Sequence, residues 1–309
     1  MIAVFESLLS ATLSAAPALV FATLGAVLSE RSGVINIGVE GMMRLGAFCA
    51  AVSALWLPTP VALLVGMLAG ALTAAIHALL CLKARADQVV AGMAINLVAL
   101  AGVTFLLETW FQPYGTPSIA ALTRHRFELL EGVPLLRALN GHTWLTPLAL
   151  VLPFALHILL QRTPFGLRVR TVGERPTAAA TLGIPVLRLR TLCVVAGGLF
   201  AGLGGAALSL SVLDRFEQHM PAGLGFMAVA AMVFGRWSAL GAAGAALFFS
   251  AGSALRISLG SGVGGIVDAI PQGFLLALPY VLTLLVLSLQ GRRTRPPAAL
   301  GTPWSPETR

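Results

Sequence analysis

The sequence predicts an all-α, polytopic transmembrane bundle of about nine spans (eight to ten), and three observations carry that expectation. Mean hydropathy is +0.89. Of the 309 residues, 57% are hydrophobic and 10% charged, whereas a soluble surface takes about a quarter of its residues charged. Apolar runs of membrane length recur from end to end, and the cationic residues lie mainly in the short connections between them. The net charge of +8 is therefore read as lipid topology, and no nucleic-acid surface is expected.

A hydrocarbon core about 30 Å thick takes about 20 residues at about 1.5 Å of rise each. That ruler marks residues 8–28, 34–57, 60–81, 89–111, 143–160, 191–213, 221–235, 239–259 and 266–289. No Lys or Arg precedes Arg31, so the first run lacks the positive flank of a secretory leader and reads as a retained helix. The run 34–57 is rich in Gly and holds Asn36, Glu40 and Arg44, while 221–235 is short; both are candidates for broken or re-entrant elements. Residues 1–309 form a single membrane domain, with the polar segment 161–190 and the tail 291–309 outside the bilayer.

Nine crossings place Lys83, Arg85, the segment 161–190, Arg236 and the tail residues Arg292, Arg293 and Arg295 on one face, the cytoplasmic one. The N-terminus and the loop 112–142 then lie outside, with Arg215 and Arg256 as exceptions to the charge rule. Trp110, Phe111, Tyr114 and Trp144 flank the outer loop as an interfacial belt. Gly66 with Gly70, Gly198 with Gly202, and Gly260 with Gly264 have the four-residue spacing that lets helix backbones approach in lipid. They support a tight bundle without naming an interface. Cys49, Cys81 and Cys193 stand singly in apolar runs and read as small core residues.

Catalytic constellations are missing from the sequence. Lys83, the only lysine, precedes Ala84, so no GxxxxGK[ST] phosphate loop exists. His77, His125, His142, His157 and His219 form no HExxH pair, and no GxSxG occurs. The chain is expected to be no enzyme, to hold no metal and to carry no cofactor of its own.

Ionisable and amide groups inside apolar runs cost about 2.5–3.5 kcal/mol for a mid-bilayer charge, and so face protein or water. Asn36, Glu40 and Asn96 are the candidate substrate-pathway residues. Asn36 and Glu40 are four apart and are expected to project from one helical face. Each of the three reads either as pathway lining or as an interhelical hydrogen-bond clamp. Gln88, Asp268 and Gln272, near run ends, and Glu108, by the aromatic belt, read as interface or capping residues.

The segment 161–190 carries Arg162, Arg168, Arg170, Arg175, Arg188 and Arg190 against the single acid Glu174. Topology accounts for the arginines. It does not account for GERPTAAATLGIP at 173–185, where small residues form a helix-favouring patch between Pro176 and Pro185. Gly173, Glu174, Ala178, Ala179 and Gly183 are therefore the candidate coupling residues, offering a smooth helix to a partner's groove.

Five segments together carry a resemblance: LGAVLSERSGVINIGVEGMMRLGAF at 24–48, ADQVVAGMAINLVAL at 86–100, TPFGLRVRTVGERPTAAATLGIPVLRLR at 163–190, GFMAVAAMVFGRW at 225–237 and RRTRPPAALGTPW at 292–304. The chain resembles ATP-binding cassette importer permeases of the branched-chain amino acid and simple-sugar group, and most of all the nucleoside permeases paired with basic-membrane-protein-type lipoproteins. The resemblance implies a cytoplasmic ATP-binding subunit, often with two fused ATPase domains, that uses the ATP. It also implies a second related permease chain, an extracytoplasmic solute-binding protein, and a place in the bacterial cytoplasmic (inner) membrane with the C-terminus inside. Other importers carry EAA, three residues, then G; here Thr177, Ala178, Ala179 and Gly183 keep the spacing, with Glu174 three residues before the place of the acid. A simple sugar is the alternative solute. A self-sufficient secondary transporter is the alternative mechanism, weakened by the lack of intramembrane carboxylate pairs.

Overall fold

The computed structural model describes residues 2–111, 115–125, 140–260 and 295–305, without the side chains of 2–4 and 256–260. The ninth run at 266–289, with Asp268 and Gln272, lies outside the described residues, as do Gly264, Tyr114, Arg292, Arg293 and most of the outer loop. What is described is almost wholly helical: α1 (Ile2–Arg31), α2 (Val39–Ser53), α3 (Thr59–Ala78), α4 (Gln88–Trp110), α5 (Leu145–Arg162), α6 (Pro164–Glu174), α7 (Pro176–Thr181), α8 (Val186–Ala207), α9 (Leu224–Phe234) and α10 (Ala239–Gly260). One π-helical turn extends α3 through Leu79–Lys83 and another extends α8 through Leu208–Val212.

Five of these helices are long and apolar enough to cross a membrane: Phe5–Arg31, Thr59–Lys83, Gln88–Trp110, Leu145–Arg162 and Val186–Val212. The run 34–57 shortens to α2, whose 15 residues reach about 22 Å. The run 221–235 shortens to α9, whose 11 residues reach about 16 Å. Both helices are shorter than a full span, and each is preceded by non-helical chain, 34–38 and 213–223.

Local chemistry sets the ends. Asp87 caps α4, its Oδ1 accepting from the Val89 and Val90 N–H groups at 2.9 Å each. Thr163 caps α6, accepting from the Gly166 N–H at 3.2 Å, with Pro164 at the first helical position.

α8 is the central helix, and glycine puts it there. Gly66 and Gly70 on α3 face Gly198 and Gly202 on α8: a Cβ on Gly202 would stand 2.5 Å from the Gly66 carbonyl oxygen, and one on Gly198 2.5 Å from that of Gly70. Gly46 of α2 meets the same seam, 2.6 Å separating its added Cβ from the Gly202 Cα. On another face of α8, a Cβ on Gly197 would lie 2.6 Å from the Gly25 carbonyl of α1. Two of the glycine pairs visible in the sequence are thus two sides of one interface, where dispersion and close backbone approach replace the hydrophobic drive that lipid does not supply.

The bundle has two distinct ends. At one, the extended stretch 115–122 runs against the exit of α8, through Thr116 N–H to Phe216 O at 3.0 Å and Ile119 N–H to Asp214 O at 3.0 Å. The two-residue strands β1 (Arg124–His125) and β2 (His142–Thr143) pair antiparallel there. Arg215 belongs to this end and is ion-paired with Glu217 at 2.9 Å. At the other end gather the C-termini of α1, α3 and α9, the segment α6–α7 and the tail 295–305. Arg31 Nε donates to Trp237 O at 2.8 Å, and Ala299 N–H donates to Gly173 O at 2.9 Å. Lys83, Arg85, Arg236 and Arg295 share this end, as the distribution of cations predicts.

Candidate coupling surface and buried polar cluster

Residues 34–38 stay unwound between α1 and α2 because side chains of other helices take their backbone groups. Gln88 Oε1 accepts from the Ile35 N–H at 2.7 Å, and His77 Nε2 lies 3.0 Å from the Ile35 carbonyl. Asn96 spans the start of α2: its Nδ2 donates to Ile37 O at 3.0 Å, and its Oδ1 accepts from the Gly41 N–H at 2.8 Å. That N–H belongs to the first turn of α2, where no intrahelical acceptor exists.

The expectation that Asn36 and Glu40 share a helical face is corrected by this geometry, since α2 begins at Val39. Asn36 sits in the unwound stretch, fully buried, its Nδ2 at 3.6 Å from Met42 Sδ and its Oδ1 without a partner among the described residues. Glu40 turns instead to α9. Its two carboxylate oxygens accept from the Gly223 N–H at 2.9 Å and the Gly225 N–H at 2.7 Å, at the positive end of that helix's dipole. Gly223 has φ +88°, a conformation that suits glycine. One turn along α2, Arg44 Nη1 donates to Gln218 O at 3.0 Å.

Glu30 is a buried polar residue that the sequence did not mark. Its carboxylate accepts from Trp237 Nε1 at 2.6 Å, tying α1 to the turn between α9 and α10. A Glu-Arg pair at the end of an apolar run looks like an ordinary interfacial pair, so no local signal separates it from one.

Gly173 closes α6 in contact with the Arg31 carbonyl, which an added Cβ would overlap. Glu174 is exposed and accepts from the Ala298 N–H at 3.1 Å. α7 follows, bounded by Pro176 and closed by Gly183 at φ +77°. Ile184 N–H reaches back to Ala179 O at 3.1 Å and Gly183 N–H to Ala180 O at 3.0 Å, the two-bond helix ending that wants glycine in the left-handed position.

The two alanines assigned to this helix part company. Ala178 is exposed beside Thr177, whereas Ala179 is fully buried against Val172 and Val186. Ala179 therefore belongs to the seat of α7, not to its outer face, because residues one apart on a helix point in different directions. Leu182, which no signal in the sequence marks, stands 77% exposed just before Gly183. Around an added Cβ at Gly183 nothing lies within 4 Å. The outer face is thus Thr177, Ala178, Thr181, Leu182 and Gly183. At the opposite end of the bundle a pocket of about 700 Å³ opens among residues that include Trp110, Phe111, Thr116, Arg215 and Glu217.

Comparison with known proteins places this geometry. The chain is 38% identical over 315 residues to the guanosine ABC transporter permease protein NupQ of Bacillus subtilis, covering 97% of each chain. It is 37% identical to the nucleoside ABC transporter permease protein NupC of Lactococcus lactis, covering 88% of each. To the putative glucose ABC transporter permease protein TsgC13 of Haloferax volcanii it is 38% identical, over 74% of this chain and 70% of that one. Residues 8–287 match the family described as branched-chain amino acid transport system / permease component. With nine-tenths of its length inside that match, and with several helices built to cross a membrane, the chain belongs to the permease family of ABC transporters and is a multi-pass membrane protein.

Proposed function

We propose that this chain is the transmembrane subunit of an ATP-driven importer, and that it passes a nucleoside from an extracytoplasmic binding protein to the cytoplasm. The observation that carries the reading is α7, a one-turn helix with a small-residue outer face, a Leu182 knob and a glycine end, seated on the end of the bundle that holds Lys83, Arg85, Arg236 and Arg295. That end faces the cytoplasm under the positive-inside rule, so the C-terminal tail is cytoplasmic. A separate ATP-binding subunit with two fused ATPase domains grips α7. A second related permease chain completes the pathway, in the bacterial cytoplasmic membrane. The chain itself catalyses nothing and holds no cofactor; ATP is consumed by its partner.

A nucleoside rests on the names of the two relatives aligned over most of both chains. A physical point supports a solute without net charge: the N-terminal dipole of the short α9, a place where broken-helix transporters receive anionic groups, is already answered by Glu40. The putative glucose relative keeps a simple sugar as the alternative, and a sugar is equally neutral. Asn36, Glu40 and Asn96 serve the pathway by fixing α2 and α9 in their broken form.

The test is Gly183→Trp in the assembled complex. No described atom lies within 4 Å of the new Cβ, but at φ +77° the indole also strains the end of α7. Ala178→Trp, at an exposed helical position, is therefore measured beside it, and both indoles project into the partner. Insertion is expected to be normal, while transport-coupled ATP hydrolysis falls about tenfold, within the cost of about 1–3 kcal/mol for forcing extra bulk into a packed contact. Unchanged coupled hydrolysis overturns the role of α7. Uptake driven by an ion gradient in liposomes holding this chain alone favours the secondary-transporter mechanism instead.

A further inference from the structure

The tail 295–305 is given no task by the transport cycle described above. It is nonetheless bound to the chain at both ends of a short path. Ala299 N–H donates to Gly173 O at 2.9 Å, and Ala298 N–H donates to Glu174 Oε2 at 3.1 Å, so the tail holds the last turn of α6 by backbone and side chain together. Trp304 packs against the cluster of Val172, Ala179 and Val186, which is the inner seat of α7. Farther along, Gly301 N–H donates to Gly33 O at 3.2 Å, and Gly301 itself, at φ +76°, lies so close to Ile35 that an added Cβ would stand 2.7 Å from its Cδ1.

Arg190 bolts these parts together. It is the bulkiest fully buried side chain among the described residues, an expensive place for a guanidinium. Its Nε donates to Ser32 O and its Nη1 to Thr302 O, each at 3.1 Å. One planar group on α8 thus grips the α1–α2 connection and the tail at once, which a single ammonium does not reproduce. The connection it grips runs into 34–38, the unwound stretch that Gln88, His77 and Asn96 tie to α3 and α4. From α7 to the broken start of α2, the contacts are continuous through the tail.

We propose that the tail 295–305 is a coupling strap: with Trp304 and Arg190 as positioning residues, it holds α6–α7 to the α1–α2 connection, so that displacement of α7 by the ATP-binding subunit moves α2. This rests on the coupling role proposed for α7. The strap lies behind the docking face and acts through it, so its loss uncouples ATP use from transport without releasing the partner.

The experiment uses the full complex in proteoliposomes with its binding protein, a radiolabelled nucleoside as probe, and three separate variants: Gly301→Val, Trp304→Ala and Arg190→Lys. Solute moved and ATP hydrolysed are measured in the same vesicles. The expected result is that the ATP-binding subunit still co-purifies while solute moved per ATP falls at least about fivefold, the lower range of coupling between sites. An unchanged ratio in all three overturns the strap, and so does failure of all three to insert, which makes the tail a folding clamp only. Gly183→Trp is measured alongside. If it lowers coupled hydrolysis while the three variants keep their ratio, the strap alone fails; if it too is silent, the coupling role of α7 fails with it.

Discussion

The bundle interior around α2, α3 and α8 and the α6–α7 segment solve opposite problems with the same small residues. In the interior, Gly46, Gly66, Gly70, Gly198 and Gly202 are small because another backbone occupies the place of a side chain. On α7, Ala178 and Gly183 are small with open space outside them. The polar residues divide the same way. Glu40 and Asn96 spend their oxygens on the N–H groups of helix starts, whereas Thr177 and Thr181 stand exposed. On a polar segment outside the apolar helices, small exposed residues leave room for a partner to approach the backbone closely.

That comparison breaks most readily at the seam. Gly202→Leu drives a side chain into the Gly66 carbonyl and the Gly70 backbone, neither of which is the yielding end of a side chain. The expected cost is about 3 kcal/mol or more, the upper range for overpacking, read as a large fall in thermal midpoint in detergent. A midpoint within a degree of the parent means that α3 and α8 do not meet as described.

Next in size are the helix-start clamps. Glu40→Ala leaves the Gly223 and Gly225 N–H groups unpaired in a buried place and is expected to cost about 3 kcal/mol, the range for a charged partner lost. Asn96→Leu removes one acceptor and one donor and is expected to cost about 1–2 kcal/mol, near that of a lost cap. Both are expected to lower stability with little change in which solutes compete for uptake. A changed order of competing solutes at unchanged stability restores these residues to the pathway wall.

Sequence periodicity and composition made the long helices α1, α3, α4, α5 and α8 legible, because 20 apolar residues have few other homes. The two shortened elements were legible as anomalies, through the polar residues of 34–57 and the shortness of 221–235. What joins them was not. Glu40 reaches amides 183 and 185 positions away, and nothing in a linear reading marks Gly223 as the far end of that bond. The same limit hid Glu30, whose partner Trp237 is 207 residues on, and the pairing of the α3 glycines with those of α8. On α7, composition located the helix, but burial, which depends on Val172 and Val186 from the flanking helices, separated Ala178 from Ala179.

The finest test concerns Leu182, where no change in stability is expected. A leucine 77% exposed on a segment outside the apolar helices makes almost no contacts to lose, and surface changes of this kind stay within about 0.5 kcal/mol. If the outer face of α7 is kept for an ATP-binding subunit, the exposed isobutyl group fills a pocket there, and Leu182→Ser lowers the affinity of the two subunits by about 1–3 kcal/mol, the worth of burying such a side chain. Titration of detergent-solubilised permease with the ATP-binding subunit reads this directly. Thermal unfolding of the permease alone supplies the other half: equal midpoints with unequal affinities place Leu182 in the interface. Equal affinities leave the residue a lipid-facing or solvent-facing leucine, and they move the docking face to Thr177 and Ala178 on the N-terminal side of the helix.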